Sequence, residues 1–340
     1  MSESKTSGLP KDWLNDLPED TRVEGYKPEE MIPCANCSRK NPPNRLDCMY
    51  CGIDLDITEE QSRSLKPLLR KTESWKNAAN IILTGKSPEL SDDGLRTASK
   101  MLRIEPADLK KIVSENIPLP LARSEQESEI AIVVERLTET GLETRLLYDN
   151  VFEPEIPAIR LRTFEIDGDV LNITLFSDGT IKRIERSGIS HIVVGALFQH
   201  RVESTERHKR KKDQNDILET AETSEDEIIL DIFTSENSSG FRIAAKSFDF
   251  SFLGDEKKMV VNQNMKTVIE KLRSFAPDSR FDDNYSRLRP LLSLVWEVQE
   301  HTDSKGLKRR GFGGYNREMV TTSNNNGQFT KYSRLQRHLG

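Results

Sequence analysis

Apolar residues recur at the spacing of an α-helix in three stretches of the first half of the chain. Ser91 is a suitable N-cap for the first helix, and two aspartates follow it in the first turn, where negative charge complements the helix dipole. Pro106 begins the second helix, at a position where proline is tolerated. The third apolar stripe runs over residues 125–140, and Gly141 provides its C-terminal cap. These patterns predict a helical hairpin followed by one longer helix.

Extended segments flank the third helix. Ile117–Ala122 contains two prolines, which push the residues before them toward extended geometry. Leu142–Tyr148 follows the glycine as a second strand. A strand, a helix, a glycine and a strand in this order resemble half of a ferredoxin-like unit. We therefore expect residues 91–150 to form a small α/β unit that includes the helical hairpin.

From Ile159 onward the apolar period changes from 3.6 residues to two, which is the period of β-strands. Two Asp-Gly pairs, at 167–168 and 178–179, separate strands as hairpin turns, and an amphipathic helix follows at 257–275. Six or seven antiparallel strands closed by one helix resemble a pleckstrin-homology-like barrel, which we assign to residues 159–276. The predicted strands are 159–166, 170–176, 180–185, 189–202, 228–234 and 240–248.

The remaining segments show little periodicity. Residues 1–31 are expected to form a disordered leader, and residues 56–90 a linker or a single helix. A charged insert at 204–224 contains a basic run followed directly by an acidic run, a pattern typical of a solvated, flexible loop. Residues 277–304 contain an apolar stretch and predict a helical closing segment. The whole chain is therefore expected to be an α+β multidomain protein.

Composition and charge narrow the class of protein. Hydrophobic residues make up 35% and charged residues 31% of the 340 residues, so much of the chain must be surface. The longest apolar runs, Ile130–Val134 and Ile192–Phe198, are far shorter than the roughly 20 residues of a membrane span. The N-terminus has no apolar signal region. We therefore expect a cytoplasmic protein without a transmembrane segment. The formal net charge of −6 argues against a protein that coats nucleic acid with its whole surface.

All four cysteines lie within 18 residues, as the pairs Cys34/Cys37 and Cys48/Cys51. Two Cys-x-x-Cys pairs in a chain without a signal sequence favour metal binding over disulfide formation. Four thiolates satisfy tetrahedral zinc, and the ten residues between the pairs let the two turns face each other. The spacing predicts one structural Zn²⁺ ion per chain, with a redox dithiol pair and an iron–sulfur cluster as the alternatives.

The run Cys34–Gly52, with an Asn-Pro-Pro turn between the cysteine pairs, resembles the short zinc ribbons of bacterial proteins. Its spacing is also similar to that of RanBP2-type zinc fingers, which place an asparagine four residues after the second cysteine, as Asn41 is here. Ubiquitin-binding members carry Thr-Phe after that cysteine, where this chain has Ser38-Arg39, so ubiquitin binding is not expected. We interpret residues 32–55, the zinc module, as a zinc ribbon first and a RanBP2-type finger second.

The end of the chain is basic. Residues 305–340 hold eight Lys or Arg against one Glu, and aromatic residues are interleaved with them on a Gly-rich backbone. A flexible tail of this kind suits single-stranded nucleic acid, whose phosphates take up the charges and whose bases stack on the rings. Docking of the tail on the acidic remainder of the chain, or a tail that is only a soluble extension, is nevertheless the favoured interpretation, and nucleic-acid binding by the tail is the alternative. The candidate nucleic-acid contacts are Arg39, Arg45 and Tyr50 in the zinc module and Lys308, Arg309, Arg310, Phe312 and Tyr315 in the tail.

The sequence contains no Gly-rich phosphate loop, no Gly-x-Ser-x-Gly elbow and no His-Glu-x-x-His motif. The cysteines are assigned to the metal, and His191 and His200 lie at odd spacing on one predicted strand, so that their side chains point to opposite faces. The sequence therefore predicts a non-enzymatic zinc-binding adaptor with a protein partner. Binding of RNA or single-stranded nucleic acid through the zinc module and the basic tail is the alternative function.

Overall fold

The computed structural model describes residues 28–29, 31–43, 45–56, 69, 72, 76–85, 90–125, 127–152, 156–209, 214–237, 239–310 and 314–340. Helices and strands both occur, so the expected α+β class is confirmed. The chain divides into two compact units, residues 1–67 and residues 68–340. Most of the predicted leader at 1–31, and most of the stretch 57–75 within the predicted linker, lie outside the described residues.

The first unit contains a two-stranded antiparallel sheet, formed by β1 (Ile32–Pro33) and β2 (Lys40–Asn41). Its described hydrophobic cluster consists of Ile32, Leu55 and cysteine side chains. So small a cluster supplies little of the apolar burial that holds a fold together. The cysteines must therefore contribute much of the stability of this unit.

The second unit begins with a three-stranded sheet and its helices. Strand β3 (Ala79–Leu83) pairs antiparallel with both β4 (Leu119–Ser124) and β5 (Thr144–Tyr148), so it separates two strands that run parallel to each other. The sequence did not predict β3, because all five of its residues are buried and the alternation of a half-buried strand is missing. The helices are α1 (Asp92–Leu102), α2 (Pro106–Ser114), α3 (Glu127–Glu139) and the short α4 (Asp149–Phe152).

The helix ends follow the sequence signals. The Ser91 hydroxyl accepts a hydrogen bond of 3.0 Å from the Gly94 N–H and so caps α1. Pro106 is the first residue of α2. Gly141 follows α3 with a φ of +96°, which lies in the region that favours glycine.

In the part of the chain that the structure describes, the rest of the second unit contains nine strands and three α-helices. The helices are α5 (Val261–Phe275), α6 (Tyr285–Leu292) and α7 (Asn326–Leu339). The strands are β6 (Ile159–Asp167), β7 (Val170–Leu175), β8 (Ile181–Glu185), β9 (Ile189–Lys209), β10 (Gln214–Thr234), β11 (Phe241–Ala244), β12 (Arg280–Asp282), β13 (Gln299–Arg310) and β14 (Gly314–Asn324).

These nine strands form one sheet that curls into half a barrel. The strand order is β13-β14-β9-β10-β11-β6-β7-β8, and β12 pairs with β9. Neighbours are antiparallel except for β11 with β6 and β12 with β9, which are parallel. The closed, fully antiparallel barrel that the sequence predicted is therefore not formed by the described strands, because the hairpin β13–β14 is added at one end and two pairings are parallel.

The charged insert predicted as a flexible loop at 204–224 is a hairpin where the structure describes it. Residues up to Lys209 extend β9, and β10 begins at Gln214. The register places Arg207 opposite Asp216. The described parts of the basic and acidic runs thus lie on neighbouring strands, and opposite charges on neighbouring strands stabilise a sheet.

The C-terminal segments also differ from the prediction. Residues 277–304 contain β12, α6 and the start of β13, and residues 305–340 contain the rest of β13, β14 and α7. The prediction of a flexible basic tail is wrong for α7, because Phe329, Tyr332 and Leu335 are fully buried. These side chains are three residues apart and line one face of the helix, a pattern that the surrounding charge hides in the sequence.

Two hydrophobic clusters lie on opposite faces of β9 and β10. Val193 and Ile229 belong to the first cluster, whereas their neighbours Ile192 and Leu230 belong to the second, as the two-residue period of a strand requires. The first cluster also contains side chains of β3, β4, α3 and α7, and the second contains those of β6, β7 and α5. Residues 91–150 therefore share a core with the large sheet, and residues 68–340 form one compact unit in place of the separate domains expected from the sequence.

Candidate metal centre

Both Cys-x-x-Cys segments form tight turns closed by backbone hydrogen bonds. In the first turn the Ser38 N–H donates to the Cys34 carbonyl at 2.9 Å, and in the second the Gly52 N–H donates to the Cys48 carbonyl at 2.8 Å. Gly52 has a φ of +73°, a conformation that glycine adopts without strain. The sequence thus folds both cysteine pairs into the same kind of turn.

The four cysteine sulfurs converge on one point. They all lie within 4.8 Å of one another. Cys34 Sγ is 3.6 Å from Cys51 Sγ, and Cys37 Sγ is 3.5 Å from Cys48 Sγ. These distances are far longer than a disulfide bond of roughly 2.05 Å. They are close to the edge of about 3.8 Å of a tetrahedron whose sulfurs lie about 2.3 Å from a central metal. The cluster can therefore hold a metal ion.

The surroundings of the sulfurs drive their pKa values apart. Although burial acts to raise it, the pKa of Cys48 is lowered to about 6 by the backbone N–H groups that follow it. A backbone N–H likewise lowers the pKa of Cys51. Although the Arg39 N–H acts to lower it, burial and the neighbouring thiols raise the pKa of Cys37 to about 12. Four thiolates this close together repel one another unless a cation lies among them, so the cluster suits a divalent metal.

Asn41 supports the cluster and is completely buried. Its Nδ2 donates to Cys48 Sγ at 3.4 Å and to the Arg39 carbonyl at 3.0 Å, and its Oδ1 accepts from the Met49 N–H at 2.9 Å. A buried amide that uses its donors and its acceptor in this way holds the ligand beside it in place. The residue that the sequence singled out only by its spacing therefore positions Cys48.

The candidate nucleic-acid contacts of the zinc module interact with groups inside the module. The Arg39 guanidinium lies 4.7 Å from the centroid of the Tyr50 ring. Arg45 forms an ion pair of 3.0 Å with Asp47. Both arginines thus already have a partner, which reduces what they offer to a phosphate.

The candidate contacts at the end of the chain lie on two paired strands. Lys308, Arg309 and Arg310 are the last three residues of β13, and Tyr315 lies opposite Arg309 on β14. Phe312 lies outside the described residues. The register therefore brings four of these five positions together.

A buried charge cluster in the second unit was not apparent from the sequence. Arg123 and Asp149 are both buried and form a salt bridge. Asp149 Oδ1 also accepts from Asn80 Nδ2 at 3.0 Å and from Lys331 Nζ at 3.4 Å. Burial lowers the pKa of Lys331. Burial acts to raise the pKa of the Asp149 carboxyl, but the hydrogen bonds that this carboxyl accepts outweigh burial and lower its pKa. These residues come from β3, β4, α4 and α7, so no local motif could have revealed them.

A second buried ion pair attaches α7 to the large sheet. Arg242 on β11 binds both carboxylate oxygens of Asp231 on β10, each at 2.7 Å. The Ser333 hydroxyl of α7 donates to Asp231 Oδ2 at 2.8 Å, and Arg242 donates to Asn326 Oδ1 at 2.8 Å. Arg242, Arg123, Asp149 and Lys331 all line one cavity of about 980 Å³.

Comparison of the chain with models of known protein families, with curated proteins and with solved structures finds no match. Within the described parts of the chain, none of the helices is both long enough and apolar enough to cross a membrane. The cysteine cluster and the surfaces around it are therefore the features that bear on function.

Proposed function

We propose that this chain is a non-enzymatic interaction protein that holds one structural Zn²⁺ ion in its zinc module. The observation that carries the proposal is the set of four cysteine sulfurs within 4.8 Å of one another. With four thiolates as ligands the tetrahedral shell of zinc is full, as in structural sites, and no position is left for a substrate. The short β1–β2 hairpin is consistent with a zinc ribbon first and a RanBP2-type finger second.

Zinc accounts for the cluster better than the two alternatives. A redox dithiol would join the two cysteines of one Cys-x-x-Cys segment. Here sulfur contacts of 3.6 and 3.5 Å instead join cysteines of different segments, Cys34 with Cys51 and Cys37 with Cys48. An iron–sulfur cluster would hold its cysteines farther apart, because several irons and sulfides lie between them. A single tetrahedral ion fits the observed spacing.

Exposed apolar side chains give the zinc module a surface for a protein partner. Met49, Tyr50 and Ile53 surround the second cysteine turn and are 51%, 50% and 48% exposed. We call these three residues the knuckle patch. A module that folds around a metal does not need them for a core. Aromatic residues, methionine and arginine are enriched in protein interfaces, and Arg39 lies over the Tyr50 ring.

The contacts of the buried Asp149 in the second unit favour a structural role for this residue over a catalytic one. Asp149 accepts hydrogen bonds from Asn80, Arg123 and the Ala78 N–H. A general acid or base works best with a pKa near the working pH, whereas the pKa of Asp149 is lowered. The proposal includes a protein partner and a cytoplasmic location, and it assigns no enzymatic activity to the chain.

The proposal is tested by measuring zinc content and co-purifying proteins on the same set of tagged full-length chains. We expect about one zinc per chain in the wild type and a large loss in Cys48→Ser, because three thiolates and a poor fourth ligand bind zinc weakly. A variant with serine at all three positions of the knuckle patch should keep its zinc. The amount of a specific protein partner that co-purifies with it should fall at least tenfold. The matched control replaces three other exposed apolar residues by serine, namely Ile181, Met259 and Val260.

The outcomes separate the two parts of the proposal. A wild-type chain without zinc would contradict the metal assignment. A knuckle-patch variant that keeps its zinc and its partners unchanged would contradict the assigned surface. The control variant should resemble the wild type in both measurements.

Nucleic-acid binding is the second candidate function, and one observation favours its C-terminal part. The basic end of β13 lies two strands from the basic end of β9 in the same sheet. In the zinc module, by contrast, Arg39 and Arg45 each have a partner. This difference favours the strand ends over the zinc module as the surface for nucleic acid.

A further inference from the structure

Four strands of the large sheet continue beyond the two hydrophobic clusters. The buried residues of these clusters end at Val193 on β9 and begin at Ile229 on β10. The strands nevertheless stay paired to their ends, in the order β13-β14-β9-β10. We call the continuing segments the arm, which comprises residues 199–209, 214–227, 299–310 and 314–324.

At the far end of the arm, the register brings together two basic segments from distant parts of the sequence. Lys308 pairs with Asn316, Asn316 pairs with Arg207, and Arg207 pairs with Asp216. Lys308 and Arg207 therefore occupy one row across the sheet, two strands and about 10 Å apart. We call the end of the arm the basic tip, which comprises residues 206–209, 214–217, 307–310 and 314–317.

The basic tip is positive in a chain that is negative overall. It contains six Lys or Arg against two acidic residues, a formal charge of +4, whereas the whole chain carries −6. The acidic residues are Glu206 on β9 and Asp216 on β10, and β10 is the strand of the arm that lies farthest from β13. The positive charge is therefore concentrated on β13 and β9, whereas Arg317 on β14 lies opposite Glu206 in the register.

We propose that the basic tip binds the sugar–phosphate backbone of single-stranded nucleic acid. Lys308 on β13 and Arg207 on β9 lie in one row about 10 Å apart, and Arg309, Arg310 and Lys209 follow them toward the strand ends. These basic residues form a surface that complements the phosphates of a nucleic-acid backbone. Tyr315, which lies opposite Arg309 in the register, adds an aromatic residue of the kind on which bases stack. Both hairpins contribute to this surface, so full affinity requires both.

The width of the tip favours a single strand over the groove of a duplex. Four paired strands span roughly 14 Å between their outer backbones. The major groove of B-DNA is roughly 12 Å wide and admits a two-stranded ribbon. Single-stranded nucleic acid that lies across the ends of the β-strands is not limited by the width of a groove.

The test is fluorescence anisotropy of a labelled 20-nucleotide oligo(dT) with the full-length chain at 50 to 200 mM salt. One variant combines Arg207→Gln and Lys209→Gln, and the other combines Lys308→Gln, Arg309→Gln and Arg310→Gln. Each should weaken binding at least tenfold at about 100 mM salt. The salt dependence of the triple variant should become shallower by about 2 in the log–log slope, since each phosphate contact to a single strand contributes about 0.7.

A matched control removes three positive charges from another part of the chain, as many as the triple variant removes. Lys257, Lys258 and Lys266 are exposed and lie before and within α5, and their replacement by glutamine should leave the affinity within twofold of wild type. Equal weakening in this control would overturn the proposal, because it would show an effect of net charge alone. Binding to anionic phosphatidylserine vesicles but not to the oligonucleotide would also overturn it.

This proposal rests on the second candidate function and is independent of the zinc assignment. Cys48→Ser should bind the oligonucleotide as tightly as the wild type, and loss of binding in that variant would contradict the assignment to the tip. Circular dichroism and the melting temperature of each tip variant, compared with wild type, separate a loss of binding from a loss of folding.

Discussion

At the scale of single residues, His191 on β9 stands out as a partly buried histidine whose two ring nitrogens are both shielded from solvent. Neither of its ring nitrogens has a hydrogen-bond partner among the described residues. Burial lowers its pKa, and Arg280 on β12 and Arg337 on α7 lower it further. The folded protein therefore favours the neutral ring more strongly than the unfolded chain does.

The sign of this shift predicts a loss of stability in mild acid. The contribution of His191 is fully present above its unfolded pKa of roughly 6.5 and is lost as the pH falls below it, because the unfolded chain then binds the extra proton. We expect the melting temperature to fall between pH 7 and pH 5, and to fall less in His191→Gln. The exposed His301 provides the control, and His301→Gln should keep the wild-type dependence. An unchanged dependence in His191→Gln would contradict this assignment.

Residue-scale chemistry was predictable from the sequence only where it is local. The cysteines could be assigned from their spacing, because each pair sits in a turn whose geometry depends on four or five neighbours. Asn41 could be noticed by the same spacing. Arg123 and Asp149 could not, since their contact depends on the pairing of β3, β4 and β5.

At the scale of elements, the contact between α7 and β9 depends on Gly195. A Cβ atom at this position would lie 2.4 Å from Phe329 Cε2 and 2.9 Å from Tyr285 Cδ1. The two rings pack edge to face with centroids 5.0 Å apart, and both are fully buried. Neither ring can move away without displacing the other.

Gly195→Ala should therefore destabilise the protein by about 1–3 kcal/mol, the usual cost of overpacking a core. Gly188→Ala is the matched control, because no heavy atom lies within 4 Å of the added Cβ. Because alanine restricts the unfolded chain more than glycine does, Gly188→Ala should be neutral or slightly stabilising. Urea denaturation monitored by circular dichroism measures both variants. Equal midpoints for the two would show that α7 does not approach β9 as closely as the structure has it.

Elements with a strong local signal were predicted well, and the others were not. The two Asp-Gly turns occur as expected, with φ values of +58° at Gly168 and +73° at Gly179. Strand β3 lacks alternation because both of its faces are covered. Helix α7 was mistaken for a tail because its buried aromatic residues are interspersed with basic residues whose partners, such as Phe152 for Arg334, lie far away in the sequence.

At the scale of the whole molecule, distant contacts join the parts that the sequence separated. Trp296 Nε1 donates to Asn80 Oδ1 at 2.8 Å, and Gln336 Nε2 donates to the Pro118 carbonyl at 2.9 Å. Patterns of composition and period are local, so they show where segments begin and end but not which segments share a core. For this reason the sequence predicted several separate modules, whereas the structure has two compact units.

Each unit has its own hydrophobic cluster, and this predicts how the chain responds to removal of the metal. The clusters of the second unit contain residues from Leu69 onward, whereas the cluster of the first unit contains Ile32, Leu55 and cysteine side chains. Residues 68–340, expressed alone, should therefore fold. Their melting temperature should lie within about 3 °C of the main transition of the full chain, since a loss of even 1 kcal/mol would shift a protein of this size by about 2–4 °C.

A chelator distinguishes the two units in one measurement. It should remove zinc from the full chain and abolish the structure of the zinc module, because metal binding and folding are the same event in so small a module. It should leave the main calorimetric transition of the full chain in place and have no effect on the fragment. A fragment that is insoluble, or a main transition that collapses when the metal is removed, would show that the second unit depends on the zinc module for its stability.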